Sequence, residues 1–206
     1  MSPWLAWALV GLGLGVVVVR RRSSAISLVT LQSLALATGA LWLARDRSGA
    51  FVLASVILLA KALVVGIALA WSLRRTRETG PVRDGLPAPM RLVVALAVAL
   101  AAAGLVPSFG LDDRVGDATV VLVFIGAAIV LLRLATIHQA IGLLVAENGV
   151  SIAAVSARDG LPLVIELGFV FDVLVLIAVL LVVHEKIFGE FGVGDTRLLR
   201  HLRDER

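Results

Sequence analysis

Apolar residues run through this chain in long blocks, and the charged and turn-forming residues stand in short clusters between them. Seven blocks approach the roughly 20 residues needed to cross the hydrocarbon core of a bilayer. They run 3–19, 25–44, 50–73, 90–106, 117–132, 134–156 and 161–183. The fourth is short and is ended by Pro107. The fifth and sixth are parted by little more than Arg133, yet together they reach about 40 residues, too long for one crossing. The pattern predicts an all-α, polytopic helical membrane protein, a single membrane domain over 1–206.

Composition strengthens that reading. The 206 residues are 60% hydrophobic and 17% charged, with a mean hydropathy of +1.02. Soluble domains run nearer roughly 45–50% apolar and about 25% charged. The N-terminal stretch "MSPWLAWALVGLGLGVVVVRRR" is apolar first and basic after, the reverse of a secretory signal, so it reads as a retained first span.

The charges set an orientation. With the N-terminus outside, the inner segments hold Arg20, Arg21, Arg22, Arg74, Arg75, Arg77, Arg83, Arg91, Arg133, Lys186, Arg197, Arg200, Arg203 and Arg206, 14 basic residues in all. The outer loops hold four, Arg45, Arg47, Arg114 and Arg158, and Lys61 lies within a span. Basic residues collect on the cytoplasmic side. The bias therefore predicts seven spans, N-out and C-in. It also accounts for the basic pI without nucleic acid. The tail 187–206 is basic and cytoplasmic. Its end, 194–206, reads either as a short helix on anionic lipid or a partner, with Asp195 as N-cap, or as an ordinary basic tail.

The chemistry available is narrow. There is no cysteine and there are three scattered histidines, so thiolate zinc, iron–sulfur ligation and disulfides are excluded for this chain. No metal spacing, nucleotide loop or nucleophile–base pair is readable, and "GLGLG" at 11–15 is an apolar helix interior. No cofactor is expected in this chain. Trp4, Trp7, Trp42 and Trp71 read as interfacial anchors.

A weak internal repeat is visible. Segments 11–39 and 124–152 are each a span ending in Arg, a tight turn, and a second span with polar groups partway along. Lys61 and Asp172 stand at matching depths on the third members. The expectation is two three-span units, 1–75 and 117–186, joined by an extra helix at about 90–106 that restores the chain direction.

The informative residues are the ionisable groups inside spans. An Asp or Lys at a helix centre costs roughly 2.5–3.5 kcal/mol on insertion scales. Such groups usually face a bundle interior and mark ion or proton routes. Lys61, Glu147, Glu166 and Asp172 qualify, and His138 lies near the inner end of the sixth span. At 1.5 Å per residue the three acids sit roughly 12, 8 and 17 Å below the outer boundary. Carboxyl and amino groups withdrawn from water exchange protons near neutrality. Glu147, Asp172, Lys61, Glu166 and His138 are therefore candidates for a proton path. The competing reading pairs Lys61 with Glu147 or Asp172 to pin the bundle. Glu166 reads equally as a solvated helix start, His138 as a headgroup-level histidine, and Asn148 and Ser151 as hydrogen bonders between helices.

Residues 134–203 carry a family resemblance. "IHQAIGLLVAENGVSIAAV" and "LPLVIELGFVFDVLVLIAVLLVVHEKIFGEFGVGDTRLLRHLR" resemble the hydrogenase-4 component E family, membrane subunits of energy-converting, complex I-related hydrogenases. The elements are Glu147-Asn148-Gly149, Pro162 with Glu166-Leu167-Gly168, Phe171 to Val175, and the Asp195-Thr196 tail. The same region is similar to the small three-helix membrane subunit of complex I. There the second-helix acid falls about where Leu144 stands here, so Glu147 comes one turn later. The resemblance implies a non-catalytic membrane-arm subunit. Its partners would be antiporter-like and heel-type membrane subunits. Soluble redox subunits would hold nickel–iron and iron–sulfur centres. Protonation of Glu147 and Asp172 would couple redox chemistry to ion movement. Two other classes stay open: an independent small-solute or ion transporter, and a structural membrane scaffold.

Overall fold

The computed structural model describes residues 1–46, 48–76, 85–106 and 111–157, with single positions at 178, 182 and 186. The seventh apolar block, with Glu166 and Asp172, and the basic tail lie outside the described residues apart from those positions.

The described residues are all-helical. In order they are α1 (Pro3–Val18), α2 (Arg22–Leu43), a single 3-10 turn at Ala44–Asp46, α3 (Gly49–Thr76), α4 (Ala88–Leu105), α5 (Asp113–Leu132) and α6 (Thr136–Ser156). Each coincides with one of the first six apolar blocks. Five of the six are long and apolar enough to cross a membrane, while α1 is shorter at 16 residues. This is the build of a multi-pass membrane protein. Apolar blocks fold this way because lipid offers backbone N–H and C=O groups no partner outside the helix.

Local chemistry marks the helix ends. Proline stands at the first or second position of α1 and α4, where its missing N–H costs nothing. Asp112 caps α5 by accepting from the Arg114 N–H at 3.1 Å, so that helix starts four residues before the apolar block does. α1–α2 and α5–α6 are joined by extended links of three residues, 19–21 and 133–135.

The core gathers α1, α2, α5 and α6, with α3 packed on α2 and α4 on α5 and α1. The closest pair is α5 with α6. A Cβ added at Gly126 would lie 2.6 Å from the Gly142 carbonyl oxygen, and one at Gly149 2.9 Å from the Val123 N. Such backbone-to-backbone contact needs small residues. Gly142, Ala146 and Gly149 turn one face of α6 to α5, which leaves Glu147 and Asn148 directed elsewhere. The exposed side chains of α3 and α4 are large and apolar, among them Leu63, Ile67, Val93 and Leu100, as a lipid-facing surface requires.

Candidate functional site, a buried polar cluster

Three helices bring polar side chains together inside the bundle. Lys61 of α3 forms an ion pair with Glu147 Oε1 of α6, and their side chains are 3% and 8% exposed. At 1.5 Å per residue Glu147 lies ~14 Å from the end of α6 and Lys61 ~18 Å from the start of α3, so the two meet at similar depth. The Ser151 hydroxyl donates to the same Glu147 oxygen at 3.1 Å. Oε2 of Glu147 has no hydrogen-bond partner among the described residues.

The neighbouring position looks toward α2. Asn148 Nδ2 donates to Gln32 Oε1 at 3.0 Å and to Ser33 Oγ at 2.9 Å. Ser33 Oγ in turn lies 3.2 Å from Asn148 Oδ1 and donates to it. Gln32 Nε2 donates to the Leu9 carbonyl oxygen of α1 at 2.7 Å. A carbonyl only accepts, so Gln32 must point its amide nitrogen there and its oxygen at Asn148. The orientation of both amides follows from that one backbone acceptor. Gly13 leaves room for the junction, since a Cβ there would stand 3.3 Å from Gln32 Nε2 and 2.7 Å from Leu122 Cδ1.

A second polar region occupies the end of the bundle where α1 finishes. Arg133 donates to the carbonyl oxygens of Val16, at 3.3 Å, and Val19. Arg91 donates to that of Val18 at 3.4 Å. These are C-terminal carbonyls of α1 without a helical partner, which attract cations. Both arginines are 1% exposed. The sequence assigns both to the inner segments. Their guanidinium groups fold back over the end of α1. Burial first, and then the nearby Arg20, bring the Arg133 guanidinium down to about 10.

The structure sorts the sequence candidates. Lys61 and Glu147 meet directly. His138 is fully buried, and both its ring nitrogens lack a hydrogen-bond partner among the described residues. The first turn of α6, which carries it, is packed inside the bundle. His138 lies nine positions from Glu147, roughly half a turn round the helix, and belongs to the arginine end. Ser151 bonds within its own helix instead of between helices. Glu166 and Asp172 lie outside the described residues. Sequence reading had not singled out Ser33, because a lone serine in an apolar span carries no signal until its partner is known. No group of three or more His, Asp or Glu among the described residues is placed to hold a metal ion. A cavity of about 430 Å³ lies at the other end, lined by Thr38, Leu41, Trp42, Ala44, Arg45 and Val52, away from the polar cluster.

No protein-family model matches the chain, and no solved structure matches it. It is similar to the uncharacterized protein Rv0085 of Mycobacterium tuberculosis, 31% identical over 170 residues that cover 78% of this chain and 76% of the relative. At that identity and coverage, the chain belongs to the same family as Rv0085.

Proposed function

We propose that this chain is a non-catalytic membrane-arm subunit of an energy-converting, complex I-like oxidoreductase of the hydrogenase-4 type, in which Lys61 and Glu147 exchange protons. The observation that carries the reading is the Lys61–Glu147 pair itself. A lysine and a glutamate are buried together at mid-helix depth, and one carboxylate oxygen is left without a hydrogen-bond partner among the described residues. Ionisable groups at this depth are costly and are retained where charge or protons move. The resemblance of residues 134–203 to hydrogenase-4 component E supports the same reading. Asp172 joins it as the second acid on sequence grounds alone. The proposal includes seven spans, N-out and C-in, in a bacterial or archaeal cytoplasmic membrane. It places antiporter-like, heel-type and soluble redox subunits beside this one.

The test is Glu147→Gln in the native assembly. Proton uptake by inverted membrane vesicles is measured during turnover, with native electrophoresis as the check on assembly. The reading expects uptake to fall tenfold or more while the assembly persists. Full uptake would overturn it.

The amide network favours a second reading, a scaffold whose polar groups only tie helices together. It expects Lys61→Met with Glu147→Leu to keep full transport, where the proton reading expects loss.

A further inference from the structure

We infer that Asn148 is a positioning residue: its amide tie to Gln32 and Ser33 holds α6 at the level on α2 where Glu147 meets Lys61. The inference deepens the proposed function and rests on the ion pair being its working part.

The argument begins with which helices touch. α3 packs extensively on α2, and α6 packs on α2 as well, while α3 and α6 are not among the principal contacting pairs. Lys61 and Glu147 therefore reach each other across a gap between helices that share α2 as their common support. Two registers decide whether they meet. The register of α3 on α2 is set where Gly66 admits Thr30, since a Cβ at Gly66 would lie 2.8 Å from Thr30 Cγ2. The register of α6 on α2 has its polar tie at Asn148, which bonds Gln32 and Ser33 at 2.9–3.2 Å.

Asn148 is the residue next to Glu147, about 100° further round α6. A slide of one helical turn, about 5.4 Å, would carry the carboxylate out of reach of the ammonium. The glycine face of α6 packs on α5, so the face that meets α2 is held there by the Asn148 hydrogen bonds. The tie also has a sense. Leu9 O fixes Gln32, Gln32 presents only an acceptor, and Asn148 must supply the donor. Leucine at 148 keeps the branched four-atom side chain but has no donor.

The test is a double-mutant cycle in the full chain. The coupling of Lys61 and Glu147 is measured from unfolding of the wild type, Lys61→Met, Glu147→Gln and the pair. The cycle is repeated with Asn148→Leu, and again with Gln32→Leu and Asn148→Leu together. The last background leaves neither amide without a partner, so it keeps the experiment decisive where the single change fails to fold. A positioning role predicts coupling worth tenfold or more in the unfolding constant in the wild-type background, falling to twofold or less in both others. Coupling unchanged in the double-leucine background, or below twofold in the wild type, overturns the inference. Proton uptake in the same variants separates the two ideas. Full uptake in Glu147→Gln sinks the proton reading, whereas the cycle alone decides whether Asn148 sets the pair.

Discussion

Arg133, in the link between α5 and α6, donates to the carbonyl oxygens of Val16 and Val19 at the end of α1, 117 and 114 positions away in the chain. One side chain thereby closes the first hairpin onto the third pair of helices. Helix C-termini leave carbonyls unsatisfied, and a guanidinium with five donors can serve two at once.

Arg133→Met should destabilise the folded chain by about 1.5–3 kcal/mol, the worth of hydrogen bonds to a charged group. Arg133→Lys should recover only part, because an ammonium lacks the forked geometry. Thermal unfolding in detergent micelles checks the order wild type, Lys, Met. The pH dependence has a definite sign. The folded value, about 10, lies below the ordinary guanidinium value, so the folded state sheds this proton first. The contribution of this group to stability then rises as pH climbs above about 10, and is flat near neutrality. Equal stability of all three proteins would refute the capping role.

The Lys61–Glu147 pair predicts a pattern that single substitutions alone would misreport. Removing one member of a buried pair strands the other and costs about 3–5 kcal/mol, whereas replacing both by apolar residues is often neutral or better. Lys61→Met should therefore unfold more readily than Lys61→Met with Glu147→Leu. Denaturant titration of the full chain compares the two. If the double variant proves the weaker, the pair contributes net stability and the desolvation argument fails here.

Much of this was legible from residue order, and the limits have physical causes. Six apolar blocks became α1 to α6 because lipid forces an unbroken apolar run into a helix. Lys61 and Glu147 stood out because charge in such a run is expensive. That Lys61 pairs with Glu147 was one of two options, since span depth fixes height but not azimuth. Arg91 and Arg133 were counted as loop charges because a helix end looks the same in sequence whether its carbonyls face water or a neighbouring chain segment. Asn148 was visible as polar, but its bond to Gln32 depends on the close α5–α6 contact that aims it at α2, and that contact rests on Gly126, Gly142 and Gly149, whose approach to a neighbouring backbone no sequence pattern displays.

Those glycines are directly testable. A Cβ at Gly126 would meet the Ala146 N, with the Gly142 oxygen at 2.6 Å and Ala146 Cα at 2.7 Å. These are backbone atoms, which cannot swing aside. Gly126→Ala should destabilise by about 1–3 kcal/mol or more as α5 and α6 are forced apart. Gly11 and Gly104 have nothing within 4 Å of an added Cβ, so alanine there should be neutral or gain about 0.5–1 kcal/mol from helix propensity. Unfolding midpoints for the three variants should separate accordingly. A Gly126→Ala protein as stable as Gly11→Ala would mean that α5 and α6 do not approach so closely.

The proposed orientation can be read with a single reagent, because the chain contains no cysteine. Ser48, before α3, and Ser23, in the first turn of α2, are both exposed and stand at opposite ends of α2. Ser23 lies at the arginine-rich end, beside the residues that the positive-inside bias assigns to the cytoplasm. Ser48→Cys should react with a membrane-impermeant thiol reagent on intact cells, and Ser23→Cys only after the membrane is permeabilised. The substitutions are small and at exposed positions, so labelling reports side rather than misfolding. The opposite pattern would place the arginine end outside. The 14-to-4 count would then have assigned the wrong side.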